Sequence, residues 1–284
     1  MKKGIAVLYF SFLFLFLFVG SAESKVIFGF KLTGGLNYLQ GGDLNKGLQG
    51  WSDIWNKLYD DPGITRSGGY KSFHLGMDLN IELLMWISPR IAFGLGTGYV
   101  QVSRSSELQL IEGGITYKNT WSPKITFIPI TLSLYYNILN GKRFRFIIHA
   151  GAGYYLSKYM DTQHTVFLGD INDEYNMSAK GFGFHGGLGV EISLSNQLAL
   201  LIESRGRYVR LNGFEGDLKS SWSSSSSIIS GKLWYYEISA FDNGKYPIVS
   251  VENTKPLGPD IANVREAIVD TSGISVFLGL IFRF

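Results

Sequence analysis

Residues 273–284 read GISVFLGLIFRF. Ile274, Val276, Leu278, Leu280, Phe282 and Phe284 form one unbroken apolar parity, while Ser275, Gly279 and Arg283 interrupt the other. Strict alternation with period two is the signature of a β-strand whose two faces meet different surroundings. A face this long without a polar residue is the pattern of a strand with lipid on one side.

The opposite end of the chain carries a complementary signal. Lys2 and Lys3 precede an apolar run from Ile5 to Val19, closed by Gly20-Ser21-Ala22. A basic start, a short apolar run and small residues are the marks of a secretory signal peptide, so residues 1–22 are expected to be removed and residues 23–284 to form one domain. No later segment reaches the ~20 consecutive apolar residues of a membrane-spanning helix, so a membrane protein of this sequence must cross as strands. There is no cysteine, which excludes a disulfide scaffold, a thiol nucleophile and the best zinc ligands. The net charge of +3 is far from the basic excess of a nucleic-acid binder, and no nucleic-acid partner is expected.

The same parity test applied upstream finds seven further strands. The clearest runs from Ser72 to Trp86, with Phe73, Leu75, Met77, Leu79, Ile81, Leu83 and Met85 on one parity and His74, Gly76, Asp78, Asn80 and Glu82 on the other. The other outward sets centre on Phe28 to Tyr38, Ile91 to Tyr99, Ile128 to Tyr136, Phe144 to Tyr154, Phe182 to Ile192 and Leu198 to Tyr208. An even number of strands suits closure of an antiparallel single-chain barrel. The expected fold is therefore all-β, an eight-stranded antiparallel up-and-down transmembrane β-barrel.

Connections alternate between short and long. Short turns fall at Ser88-Pro89-Arg90, Asn140-Gly141 and Ser195-Asn196, and long loops at Gly41 to Lys71, Ser103 to Lys124, Ser157 to Lys180 and Leu211 to Thr271. Bacterial membrane barrels keep short turns in the periplasm and long loops outside, which orients the chain with extracellular loops. On that orientation Tyr38, Phe73, Tyr99, Tyr154, Phe182 and Tyr208 fall at the outer ends of strands, and Phe28, Phe93, Tyr136, Phe144 and Phe284 at the inner ends. Aliphatic residues fill the middle, so two aromatic girdles emerge from sequence order alone.

Several strings resemble the small outer-membrane β-barrel families of the OmpA and OmpX kind: Ile128-Pro129-Ile130-Thr131-Leu132, Gly151-Ala152-Gly153-Tyr154-Tyr155, Gly187-Leu188-Gly189-Val190-Glu191 and Phe282-Arg283-Phe284. The resemblance covers the strands and not the loops. It implies an address in the outer membrane of a Gram-negative-type bacterium, with membrane lipid and lipopolysaccharide around the barrel. It also implies periplasmic chaperones and the barrel-assembly machinery as partners during biogenesis, with Phe284 in the assembly signal.

The inward parity holds Lys31, Asp78, Glu82, Arg145, Glu191, Glu203, Arg205, Arg207 and Arg283. Opposite charges in a narrow low-dielectric interior must pair or hydrate, and an eight-stranded interior is just wide enough for side chains to fill. A closed polar core is expected, with Glu82 and Glu203 as candidate partners of Arg283. A small-solute pore is the alternative. His74, His149 and His185 share the inward parity and are expected to bond Asp78, Glu82 or Glu191, since no close-spaced metal motif accompanies them. No catalytic site, metal or cofactor is expected. The enzymatic alternative is a lipid-modifying activity, acyl transfer or deacylation; Ser157, Asp161 and His164 in a loop resemble the sets of outer-membrane acyltransferases, while no His has the Ser two residues later that resemblance to the deacylases would require.

The first long loop places Leu44, Leu48, Trp51, Ile54, Trp55 and Leu58 at helical spacing, with Asp43 as N-cap, Asp61-Pro62-Gly63 as stop, and Gly47 and Gly50 as weak points. A short amphipathic helix over the barrel mouth follows. In the fourth loop, Ser220 to Ser227 reads as a flexible tract. Lys232 to Val251 alternates around Asp242-Asn243-Gly244 as a hairpin, expected to extend the flanking strands outward. Pro247 and Glu237 suit a lipid-embedded strand poorly, which argues against ten strands. Trp51, Trp55, Trp234, Tyr235, Tyr236 and Tyr246 are the candidate recognition surface, for an extracellular ligand that the sequence does not name. The role expected is structural or recognition-related.

Overall fold

Alternation fixes register, because a slip of one residue would turn every apolar side chain of a strand to the wrong face. The computed structural model describes residues 26–141, 143–166, 169–222, 225–240 and 244–284. The expected signal peptide, residues 1–22, lies outside the described residues, as do Asp242 and Asn243 of the expected hairpin turn. The first half of the chain forms β1 (Ile27–Leu39), α1 (Asp43–Leu58), β2 (Ile64–Gly68), β3 (Leu75–Trp86), β4 (Ile91–Ser103), β5 (Ser106–Glu112), β6 (Ile115–Trp121) and β7 (Lys124–Asn140). Two long strands follow, β8 (Phe144–Val166) and β9 (Asp170–Ser193), then β10 (Leu198–Tyr208), β11 (Arg210–Leu211) and β12 (Glu215–Trp222). The chain ends with β13 (Ser225–Ala240), β14 (Gly244–Glu252), β15 (Ile261–Glu266), β16 (Val269–Asp270) and β17 (Gly273–Arg283).

Eight of these strands close a ring by antiparallel pairing, in the order β1, β3, β4, β7, β8, β9, β10 and β17, with β17 returning to β1. Closure leaves no open sheet edge within the ring. The outward parity is exposed around it: Leu36 is 73% exposed, Leu132 57%, Phe182 78% and Leu278 58%. Two of the short connections are built by serine. Ser88 Oγ accepts the Ile91 N–H at 3.0 Å and Ser195 Oγ accepts the Leu198 N–H at 3.0 Å, each closing a turn from its own first residue.

Parity fails at one outward position. Phe73, expected in the outer girdle, is buried, because β3 begins only at Leu75 and the residues just before it lie outside the strand. Asn45 in α1 holds that segment, its Oδ1 accepting the Phe73 N–H at 3.0 Å and its Nδ2 donating to the Phe73 carbonyl at 3.1 Å. His74, expected inside, instead stacks on the exposed Tyr38 ring at 5.0 Å.

The long connections are mostly sheet. Residues 157–180, expected as a loop, continue β8 and β9 as a ladder to the Val166–Asp170 pair. At 23 and 24 residues these strands are more than twice the ~10 needed to cross a bilayer. Beyond the ring, β8 takes β6 as its neighbour and β9 takes β12, and the sheet grows outward through β5 and β2 on one side and β13 and β14 on the other. The serine tract is part of that sheet, with Ser220 opposite Ser227 and Ser221 opposite Ser226. Among its described residues, Ser220 and Ser221 pair on β9 and Ser225 to Ser227 on β12, so strand character comes from these partners and not from propensity. The fourth-loop ribbon thus extends β9, whereas only the short β11–β16 pair prolongs β10 and β17.

α1 packs on β14 and spans the expected residues, but Gly42 occupies the N-cap and makes no side-chain cap, so Asp43 is the first helical residue. Its glycines face the sheet. A Cβ on Gly50 would lie 1.9 Å from the Pro247 carbonyl oxygen, and one on Gly47 2.9 Å from Val249 Cγ2. The weak points read in the sequence are the contact that lets helix and strand approach. Gly50→Ala should therefore loosen α1 by about 1–3 kcal/mol despite alanine's higher helix propensity, read as faster amide exchange along the whole helix.

Candidate functional site

Inside the ring, charge is stacked in layers set by strand register. Near the short turns, Arg145 Nη1 donates to Glu191 Oε1 at 2.7 Å, and Arg283 reaches the other oxygen of Glu191 while its guanidinium lies over the Trp86 ring at 4.8 Å. The Arg283 partner is thus Glu191, not Glu82 or Glu203, because β17 places Arg283 at the turn end and the latter two lie deeper. The next layer centres on Lys31, whose Nζ is 2.9 Å from both Glu82 Oε2 and Glu203 Oε2. Tyr135 OH donates to Glu82 Oε2 at 2.6 Å, and Arg205 Nη2 donates to Glu203 Oε1 at 2.7 Å. Above it, Arg207 Nη1 lies 3.3 Å from Asp78 Oδ2 and its Nη2 donates to Asn37 Oδ1 at 2.7 Å, while Ser275 Oγ donates to Asp78 at 2.8 Å.

The histidines take other partners than expected. His149 Nε2 is 3.2 Å from Glu203 Oε1, and His185 Nε2 is 3.0 Å from Ser133 Oγ. Glycines make room for these side chains: a Cβ on Gly94 would lie 2.1 Å from Glu82 Oε1, and one on Gly187 2.5 Å from His149 Nε2. Tyr135, Asn37, Ser133 and Ser275 were absent from the sequence-derived set although each lies on the inward parity that would have found it.

Apolar side chains cluster at both ends of the charged layers. Leu84, Ala92, Ile147, Leu201 and Ile281 cluster at the turn end. At the loop end Val100, Phe127, Tyr155 and Val209 join Leu44, Leu48, Leu233 and Val251 in one core beneath α1. Lys31 and the Glu203 side chain, between them, are 0% exposed.

A latch holds α1 over this core. Arg265 Nη2 donates to Asp43 Oδ1 at 2.8 Å and Nη1 to its other oxygen, which also accepts the Ile268 N–H at 2.7 Å. Burial alone would raise the Asp43 carboxyl, but Arg265 and the Ile268 N–H hold it below the usual carboxylate range. The candidate recognition aromatics belong to the same packing. Tyr235 and Tyr246 are buried, and Trp51, Trp55, Trp234 and Tyr236 are half-buried. Tyr235 and Tyr246 sit in the apolar clusters shared with α1, Trp51, Trp55 and Tyr236 pack against them, and Arg265 stacks over Tyr235 at 4.3 Å.

Ser157, Asp161 and His164 are not brought together. Ser157 Oγ donates to the Thr126 carbonyl at 3.3 Å, and His164 Nε2 lies 3.6 Å from Asp170. Asp161 is buried under α1, where one oxygen accepts from Trp121 Nε1, from Tyr159 OH at 3.1 Å and from Gln163 Nε2 at 3.3 Å. The other oxygen has no partner among the described residues. Its inward position follows from continuing the β8 parity beyond the lipid band.

An apolar exterior around a closed antiparallel ring filled with paired charge defines an integral membrane β-barrel protein. The profile of the outer membrane protein β-barrel domain matches residues 10–224, more than half of the chain, which therefore belongs to that family and resides in the outer membrane. Among solved structures, the chain is similar to the outer membrane protein OprG from Pseudomonas aeruginosa, at 13% identity and a TM-score of 0.38 over 91% of this chain and 94% of that one. No curated protein matches the sequence.

Removing the Lys31 ammonium leaves two buried carboxylates without their shared cation. Lys31→Met should cost about 3–5 kcal/mol, measured as a lower midpoint of denaturant unfolding from detergent micelles. Asp161 gives a pH dependence, because burial pushes its carboxyl from 3.8 up to about 7 and its hydrogen bonds only partly oppose this. The folded protein holds a proton that the unfolded chain releases near 3.8, so packing under α1 is firmest below that pH, weakens as the pH rises to about 7 and is level above it. Asp161→Asn should abolish the decline in α1 amide protection between about pH 5 and about pH 8, corrected for intrinsic exchange.

Proposed function

We propose that this outer-membrane protein is an eight-stranded barrel with a closed polar lumen, oriented with its sheet-rich loop end outside the cell, where it serves a structural or recognition role. The observation that carries the reading is the buried ion cluster of Lys31, Glu82, Glu203 and Arg205, lying between two apolar clusters. Opening such a lumen to ions would separate buried pairs whose partners then lack compensation. Membrane lipid and lipopolysaccharide are its surroundings, and assembly machinery reading the β17 strand through Phe284 is its route there. No catalytic residue, cofactor or nucleic-acid partner belongs to this reading.

The outer end supports recognition because it is already built. A ladder-paired ribbon, a latched helix and a shared core present a fixed surface, so a ligand pays little ordering entropy on binding. Purified protein in planar bilayers should give no resolved single-channel steps. Removing residues 215–266 should leave the ring assembled but reduce surface binding, adhesion or envelope integrity. Stable conductance steps would overturn the closed-lumen reading, and wild-type behaviour in all three cell assays would overturn the recognition role.

A further inference from the structure

The loop end holds a groove used by neither the ion cluster nor the latch. The C-terminal half of α1, the β5–β6 hairpin and the projecting ends of β8 and β9 enclose a cavity of about 350 Å³. That is within the ~300–1,000 Å³ of small-molecule sites, and four separate chain segments wall it, as such sites often are. Its lining is mainly aromatic and aliphatic. Trp55 and Tyr59, one helical turn apart, stack with centroids 5.3 Å apart and planes at 8°, and Tyr117 contributes a third ring from β6.

The polar groups of the wall are unequal. Asn119 accepts from Tyr70 OH at 2.8 Å and donates to Thr165, so both its ends are engaged. The Lys118 ammonium is 2.7 Å from a Glu107 carboxylate oxygen, which neutralises it. Asp173, in contrast, forms no ion pair or side-chain hydrogen bond among the described residues, whereas Asp170 on the same strand faces His164. The groove therefore offers rings, aliphatic walls and one uncompensated negative charge. An anion would meet that charge without a free cation to offset it. A sugar would find few unengaged hydrogen-bonding groups along the wall.

We propose that this groove binds a small organic cation, an aromatic or branched apolar body bearing one ammonium group. The body lies on the rings of Trp55, Tyr59 and Tyr117, and the ammonium pairs with Asp173. Ring faces attract a cation through their quadrupole, and a carboxylate supplies a charge-assisted hydrogen bond to each ammonium N–H that reaches it. The proposal deepens the recognition reading and rests on the loop end facing outward.

The test uses the full chain in lipid nanodiscs and three probes of similar shape, phenethylammonium, 2-phenylethanol and 3-phenylpropionate, followed by calorimetry and tryptophan fluorescence. Phenethylammonium should bind saturably, about tenfold tighter than the neutral alcohol, with the carboxylate weakest. Asp173→Asn should bring the ammonium down to the level of the alcohol, and Tyr117→Ala should weaken both, each variant retaining the wild-type circular dichroism spectrum. Equal binding of ammonium and alcohol, an unchanged preference in Asp173→Asn, or no saturable binding would each overturn the proposal. Silence in planar bilayers alongside any of those results would leave the closed-lumen reading standing, while conductance steps with intact ammonium selectivity would overturn that reading alone.

Discussion

A fully desolvated ammonium tolerates its position only if anions stand close to it, and Lys31 has two at 2.9 Å. Taking an ion from water into such an interior costs several kcal/mol even after relaxation, so the cluster constrains every strand that contributes to it. Lys31 comes from β1, Glu82 from β3, Tyr135 from β7, His149 from β8, and Glu203 with Arg205 from β10. Five strands of the ring are thereby tied across its interior, not only edge to edge. The glycines beside these groups are part of the same constraint, because the volume a Cβ would fill at Gly94 is already taken by the Glu82 carboxylate.

The apolar clusters above and below give the pairs their strength and also their cost. Excluding water lowers the local dielectric, which strengthens attraction between correctly placed charges and penalises any left alone. At the loop end this exclusion depends on α1. Its seat requires close approach at Gly47 and Gly50 and a clamp from Arg265 on Asp43, so a feature far along the chain, in β15, controls how the first loop closes the core. Asp161 sits in that seat with one satisfied oxygen and one without a partner among the described residues, a local cost of the packing.

Much of this architecture was legible as parity. Alternation located the strands of the ring, separated Leu79 and Leu278 from Asp78 and Ser275, and assigned the charged residues to one interior. It could not say which charge meets which, because partners depend on depth, and depth on strand stagger. Arg283 and Glu191 illustrate this, being 92 residues apart in sequence yet at one level in the ring. Parity also broke at Phe73 and His74, where a segment outside β3, held by Asn45, reverses which side chain points inward. The serine tract is illegible for a different reason: Ser has little intrinsic preference for a strand, and its conformation there is imposed by partners on β9 and β12. Latch and groove were invisible because their residues come from segments that only tertiary packing brings together.

Extending the sheet far beyond the ring creates a problem that the ring itself avoids. Outside the ring the sheet is open, with β14, β15 and β2 each paired on one side only. An unpaired edge invites pairing with other chains. β14 carries Pro247, which has no N–H to offer, and its neighbour α1 covers one face of it. β2 is only five residues long and ends at Gly68 with φ of +82°, a left-handed bend that stops the ladder. The β14 and β2 edges are therefore blunted by backbone chemistry. The open surface left between them is the one walled by α1, β5, β6 and the ends of β8 and β9. In that groove a ligand would meet side chains and not backbone, because β5, β6, β8 and β9 are already paired on both sides.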